Sequence, residues 1–305
     1  MAQVTFIHGI GNKVASDALL RRWLDLLADD GGPDLAAEGV GCAMVYWADF
    51  LYPEPQAVRG AESAEALELQ GIEDVEMGWL VSAEGEEAAL VGRLAAKIGF
   101  EEFATTERVQ PPQVEEAREL LPPFVARQLM KTFLRDVHHY LFNARFTPRP
   151  GQEYKIQEVI RERVVETLRQ GAGRPGPHVV VSHSMGTVIV YDCLKRVPDC
   201  PPIDGLMTIG SPLGLDEVQH PLKPAWTRED GFPAERLTGR WVNVYDRLDL
   251  VAAADPGLAD DYQRGGARVV VDIDEPNYGR WRHDIGKYFA GGRLRAELSG
   301  LLGIA

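Results

Sequence analysis

The run Ser182-His183-Ser184-Met185-Gly186 is where this chain can do covalent chemistry. A serine hydroxyl is a weak nucleophile at neutral pH. It needs an exposing turn, a base to take its proton, and donors for the charge that develops. The preceding residues, His178-Val179-Val180-Val181-Ser182, read as a strand, and Thr187–Arg196 reads as a helix. A sharp turn between them forms a nucleophile elbow that lifts Ser184 Oγ clear of the sheet edge. Small residues two before and two after, Ser182 and Gly186, let strand and helix approach closely. The Met185 N–H, at the helix start, can donate to an oxyanion. The usual pattern is G-x-S-x-G, and Ser182 stands at its first glycine.

A nucleophilic serine on such an elbow is followed in chain order by an acid and then a histidine. Two histidines follow Ser184: His220, in the Pro-containing loop Ser211–Pro224, and His283. The next strong strand is Trp241–Tyr245, and Asp246-Arg247-Leu248-Asp249 follows it. After either aspartate only His283 remains, so order alone selects the base. Asp249 is the preferred acid, and Asp246, nearer the strand end, is the alternative. Near the N-terminus His8-Gly9-Ile10-Gly11 follows an apolar run. A glycine turn there can aim the Ile10 N–H at a substrate carbonyl oxygen and complete an oxyanion hole with Met185. The same run is not a dinucleotide fingerprint, because Val14 occupies the third glycine position.

Six short apolar runs are candidate strands: Val4–His8, Cys42–Trp47, His178–Ser182, Gly205–Ile209, Trp241–Tyr245 and Arg268–Ile273. Several are apolar almost throughout, as strands buried on both faces of a parallel sheet are. Helical periodicity fills Ser16–Ala28, Gln152–Arg169 and Gly292–Leu302. Alternation of the two implies βαβ units in a mostly parallel, doubly wound α/β sheet. From Tyr52 to Pro150 no strand is expected. That stretch is rich in Ala, Glu and Leu, and an amphipathic helix follows Pro123, with Met130, Phe133, Leu134, Val137 and Leu141 on one face. Residues 1–51 and 151–305 therefore read as the core, and 52–150 as a mostly helical insertion. The apolar set Trp79, Leu80, Leu90, Leu94, Ile98, Phe100 and Phe103 suits either a cap over the site or the insertion's own core.

The 305 residues carry a formal net charge of −14. Residues 61–120 hold 15 acidic and 4 basic side chains, so most of that charge is local to the insertion. The balance disfavours nucleic acid and anionic membranes as partners. No apolar run approaches a membrane span, and Val4-Thr5-Phe6-Ile7 lacks the flanks of a signal peptide. Cys42, Cys193 and Cys200 form no CxxC, so reduced thiols and a cytoplasmic location are expected. His138-His139 point about 100° apart on a helix and make a poor chelate, so no metal and no cofactor is expected.

Phe6-Ile7-His8-Gly9-Ile10-Gly11, the Ser184 elbow, Ile209-Gly210-Ser211-Pro212-Leu213, Trp241–Tyr245 with Asp249, and His283 together resemble the α/β-hydrolase superfamily. More narrowly, the chain looks like the lipase-like serine esterases related to glycosylphosphatidylinositol-deacylating and DDHD-type phospholipase families. The resemblance covers roughly residues 1–50 and 150–305. It implies an α/β-hydrolase fold with Ser184 as nucleophile, Asp249 as acid, His283 as base, and Ile10 and Met185 as oxyanion donors. Within the insertion, Asp136-Val137-His138-His139-Tyr140-Leu141 is similar to a D-V-x-x-Y-L stretch that precedes the elbow in some of these esterases. The expected function is a serine hydrolase acting on a small-molecule carboxylic ester, lipids included. A thioesterase or acyltransferase with the same triad is the alternative, and a non-catalytic interaction protein on the same fold is the second. The acyl length, the alcohol and the oligomeric state are not legible in the sequence.

Overall fold

A computed structural model describes residues 1–57, 69–72, 74–100 and 112–304. The strands are β1 (Gln3–Ile7), β2 (Gly41–Val45), β3 (Arg145–Arg149), β4 (Gln152–Lys155), β5 (His178–His183), β6 (Ile203–Ile209), β7 (Leu237–Tyr245) and β8 (Val271–Asp274). Six of them form one sheet in the order β2-β1-β5-β6-β7-β8, every neighbouring pair parallel. This is the α/β architecture the alternating pattern predicts. Its central strands are sealed from water: every residue of β5 is buried, with Val179, Val180 and Val181 at 0 % exposure. An uninterrupted valine run is what a strand covered on both faces requires.

The helices that position the site are α1 (Ser16–Ala28), α2 (Glu86–Lys97), α3 (Pro112–Glu119), α4 (Pro123–Leu141), α5 (Ile156–Gly171) and α6 (Met185–Arg196). After them come α7 (Asp216–Gln219), α8 (Ile285–Phe289) and α9 (Gly292–Leu302). α1 packs with α8, and α9 lies against β5, β6 and β7; α5 and α6 pack together, both against β1. Chain order explains the two groups. From β1 the chain steps one way to β2, whereas from β5 it steps the other way to β6. With right-handed crossovers those connections lie on opposite faces. The reversal falls between β1 and β5, and the carboxyl ends of strands at such a switch point border a natural crevice. Ile7 pairs with Ser182 there, so the loops opening at His8 and at His183 leave the sheet side by side.

Three expectations need correction. The stretch before Pro150 does contain a strand: β3 pairs antiparallel with β4 in a separate two-stranded sheet. That hairpin is polar and half-exposed and carries Pro148, so neither burial nor β-propensity marks it. Gln152–Lys155, expected as the first turn of a helix, is its second strand, and the helix starts at Ile156. β8 begins at Val271, not Arg268, and all four of its residues pair with β7, from Val242–Val271 to Tyr245–Asp274. The expected boundary at 150/151 lies in the hairpin turn. α4 of the insertion is also continuous with the core, burying Phe133, Leu134 and Val137 in the same apolar cluster as β1 and β5. Of the apolar insertion set, Leu94, Ile98 and Phe100 belong to that cluster, Leu90 is buried, Trp79 and Leu80 pack against the cluster, and Phe103 lies outside the described residues.

Candidate active site

Ser184, directly after β5 and before α6, has φ +55° and ψ −129°, a conformation that L-residues other than at special turns avoid. The strain is held by its surroundings. Its N–H donates to Ile209 O at 2.9 Å, and its carbonyl accepts from Thr187 Oγ1 at 2.7 Å. Ser182 Oγ donates to Met207 O at 3.2 Å, so the hydroxyl at the usual glycine position is satisfied within the sheet. The loop from β1 lies directly on Ser184. A methyl added at Gly9 would come within 2.5 Å of Ser184 Cβ, so no side chain fits there.

The structure places His283 and Asp249 in contact. His283 Nδ1 is 2.8 Å from both Asp249 oxygens, so the Nδ1–H faces the carboxylate and Nε2 is left to act. Asp249 is fully buried and also accepts from Tyr288 Oη at 2.7 Å and from Val251 N at 2.9 Å. Gly210 leaves room for the pair. It has φ +53°, and a Cβ there would lie 2.6 Å from Asp249 Oδ2 and 3.1 Å from His283 Nδ1. Asp246, the alternative acid, does other work. It accepts from Leu248 N at 2.7 Å, Asn277 N at 2.5 Å and Arg282 Nη1 at 3.2 Å, tying the end of β7 to the loop that carries His283. His220, the other histidine after Ser184, is exposed.

Ser184 Oγ and His283 Nε2 are both buried, and neither has a hydrogen-bond partner among the described residues. They line one cavity of about 20 Å³ together with Gly9, Ile10, Lys13, Ile72, Leu129, His183 and Trp281. That is room for about one water molecule. Ile72 and Leu129 of this lining come from the 52–150 stretch, and neither is among the residues its apolar pattern singles out. Catalytic hydrogen bonds are commonly long before substrate binds, so the open Ser184–His283 geometry is compatible with proton transfer between them.

Ile10 lines the cavity, and Met185 directly follows Ser184 in the chain. Met185 is the first residue of α6, where no carbonyl a turn back can receive its N–H. His8 fixes the loop carrying Ile10. Its Nδ1 donates to Gly9 O at 2.8 Å and its Nε2 accepts from Trp47 N at 3.0 Å, while Trp47 Nε1 donates to His8 O at 2.9 Å. Burial pushes the His8 pKa down to about 3, assisted by the Lys13 charge, so the ring is neutral, as that donor–acceptor pattern requires. His183 is also held neutral by burial and then by neighbouring His283. Its Nε2 donates to His283 O at 2.9 Å, and the two rings sit 4.5 Å apart. Sequence reasoning gave His183, Tyr288 and Gly210 no supporting role, although His183 lies inside the elbow and Gly210 in the Ile209–Leu213 motif.

Among the described residues no group of three or more His, Cys, Asp or Glu side chains could hold a metal ion. His138 and His139 face each other through Nδ1 at 3.2 Å and pack on Trp79. The three cysteines are unpaired. No helix among the described residues is long and apolar enough to cross a membrane.

The chain matches no protein-family model and no curated protein. Among solved structures it is similar to a crystal structure of an uncharacterized protein from Pseudomonas aeruginosa, at 10 % sequence identity and a TM-score of 0.30. The match covers 100 % of this chain and 49 % of that one, so this chain spans about half the length of that protein.

Proposed function

We propose that this chain is a serine hydrolase of carboxylic esters with an α/β-hydrolase fold. One observation carries the reading: His283 is anchored through Nδ1 to both oxygens of buried Asp249, while its Nε2 and the strained Ser184 Oγ line one cavity and have no partner among the described residues. A buried polar atom without a partner is costly, and two in one cavity are explained by a substrate that engages both.

In this mechanism Ser184 Oγ attacks the acyl carbon as His283 Nε2 takes its proton. The carbonyl oxygen becomes an oxyanion held by the N–H groups of Ile10 and Met185. Asp249 keeps the imidazole oriented and stabilises the imidazolium. The intermediate collapses, the carbon–oxygen bond to the alcohol breaks, and the imidazolium returns its proton to the leaving alkoxide. Water then attacks the acyl-Ser184 ester with His283 again as base. It releases the carboxylic acid and restores the serine. Ile10, Ile72, Leu129 and Trp281 make the cavity wall mostly apolar, which suits an acyl chain over a charged acid. The serine is fully buried, so entry requires Ile72, Leu129 and Trp281 to part.

A panel of p-nitrophenyl esters from acetate to laurate tests the reading. Turnover by the wild type that is abolished in Ser184→Ala supports it; turnover that survives in Ser184→Ala overturns it.

A further inference from the structure

The two peptide groups that flank Ile10 have four polar atoms, and three of them are tied. Gly9 O accepts from His8 Nδ1 at 2.8 Å. Ile10 O accepts from Lys13 Nζ at 2.5 Å. Gly11 N donates to Asp136 Oδ2 at 3.1 Å. The fourth, the Ile10 N–H, makes no hydrogen bond within the described residues and borders the cavity beside Ser184. Gly11 has φ +82°, a region where a glycine turn is free to rotate its peptide planes unless something holds them.

We propose that Lys13 and Asp136 are positioning residues of the oxyanion hole, clamping the Ile10–Gly11 peptide from its carbonyl and its N–H side so that the Ile10 N–H stays aimed at Ser184. Lys13 lies within the N-terminal loop, whereas Asp136 lies on α4 of the insertion, so the insertion sets the geometry of the hole as well as covering it. Asp136 is itself held. It is 1 % exposed, and its Oδ1 accepts from Arg135 Nε at 2.9 Å and Nη2 at 2.7 Å. Arg135 Nη2 also donates to Tyr52 Oη at 2.6 Å. Four residues along the same helix, Tyr140 Oη donates to Asp192 Oδ2 at 2.6 Å, which fastens α4 to the helix that follows the nucleophile. One helix therefore registers the donor loop from β1 against the elbow from β5. An oxyanion donor works only within a few tenths of an ångström of its target, so loosening either clamp costs transition-state binding and spares ground-state binding.

The inference rests on the proposed hydrolase reading, and the experiment separates the two. Lys13→Met removes the donor and keeps the stem. Asp136→Asn keeps the volume, but with its oxygen held toward Arg135 it turns an amide NH2 toward the Gly11 N–H. The assays are p-nitrophenyl butyrate hydrolysis and inhibition by an alkyl boronic acid, whose serine adduct mimics the tetrahedral intermediate. Each variant is expected to lose roughly 10- to 100-fold in kcat, with KM within about twofold of wild type and boronate affinity falling in step with kcat. Lys13→Arg, which keeps a cationic donor, is expected to recover most of the loss. If one variant fails to fold, the other still decides. An active wild type beside variants whose kcat stays within threefold, or whose boronate affinity is unchanged, overturns the clamp alone. A wild type that neither turns over the ester nor binds the boronate overturns the hydrolase reading and the clamp with it.

Discussion

Replacing Gly210 by alanine tests the Asp249–His283 pair without altering any atom of it. The added Cβ would lie 2.6 Å from Asp249 Oδ2 and 3.1 Å from His283 Nδ1. Ordinary carbon–oxygen contact begins near ~3.3 Å, so the carboxylate must retreat by roughly 0.7 Å. That displaces the 2.8 Å hydrogen bond that, in the proposed mechanism, orients the imidazole. A misplacement of about 1 Å near the reacting groups costs on the order of 100-fold, and loss of the orienting aspartate about 10⁴-fold, so kcat is expected to fall by about 100-fold or more. The backbone strain of a non-glycine residue at φ +53° adds a stability cost of about 1–2 kcal/mol. Gly265→Ala supplies the control. It has φ +57°, and its added methyl meets nothing within 4 Å, so it carries the strain without the contact. Ester hydrolysis and urea denaturation of both variants give the comparison. Gly210→Ala with kcat within twofold of wild type, or Gly265→Ala with an equal loss of kcat, would refute the reasoning.

Two further outcomes follow from the same contacts. Asp249→Asn is expected to lower kcat by about 10³- to 10⁴-fold with a small effect on stability, since it disturbs imidazole orientation. Asp246→Asn is expected to do the reverse, costing about 1–3 kcal/mol in urea unfolding by weakening the Asn277 and Arg282 contacts, and a larger kcat effect there than in Asp249→Asn would reverse the assignment of the acid. The second outcome concerns acid. Burial pushes His8 and His139 down to about 3 and His183 well below the ordinary imidazole value. These rings stay neutral in the folded chain but charge near ~6.5 once unfolded. Their stability contribution is therefore complete above ~6.5 and is lost as pH falls toward 3. Asp255, pushed up to about 6 by burial and neighbouring aspartates, acts in the opposite sense as a single group. Unfolding at pH 5 should take up protons, and calorimetry in buffers of different ionisation heat measures this; a Tm flat from pH 7 to 5 would contradict it.

Much of this arrangement is legible in the residues because it rests on local signals. The Val179–Val181 run marks β5, the small residues around Ser184 mark the elbow, and chain order leaves His283 as the histidine after Asp249. What is not legible lies in contacts between distant segments. Asp136 meets Gly11 across 125 positions through a backbone N–H, which imposes no residue pattern on the partner. Tyr288 reaches Asp249 from a five-residue helix whose apolar face reads as ordinary packing. Ile72 and Leu129 close the cavity because of where the insertion docks, and hydrophobic periodicity reports only that a face is buried. The β3–β4 hairpin escapes for the opposite reason: it buries little, so burial leaves no imprint on its sequence.

The central claim is that Ser184 is a nucleophile activated by His283. Treatment with a fluorophosphonate, followed by intact mass and peptide mapping, measures this directly. The account predicts a single adduct on the peptide containing Ser184, absent in Ser184→Ala and slowed strongly in His283→Ala. An unlabelled wild type, or labelling that persists in Ser184→Ala, would contradict it.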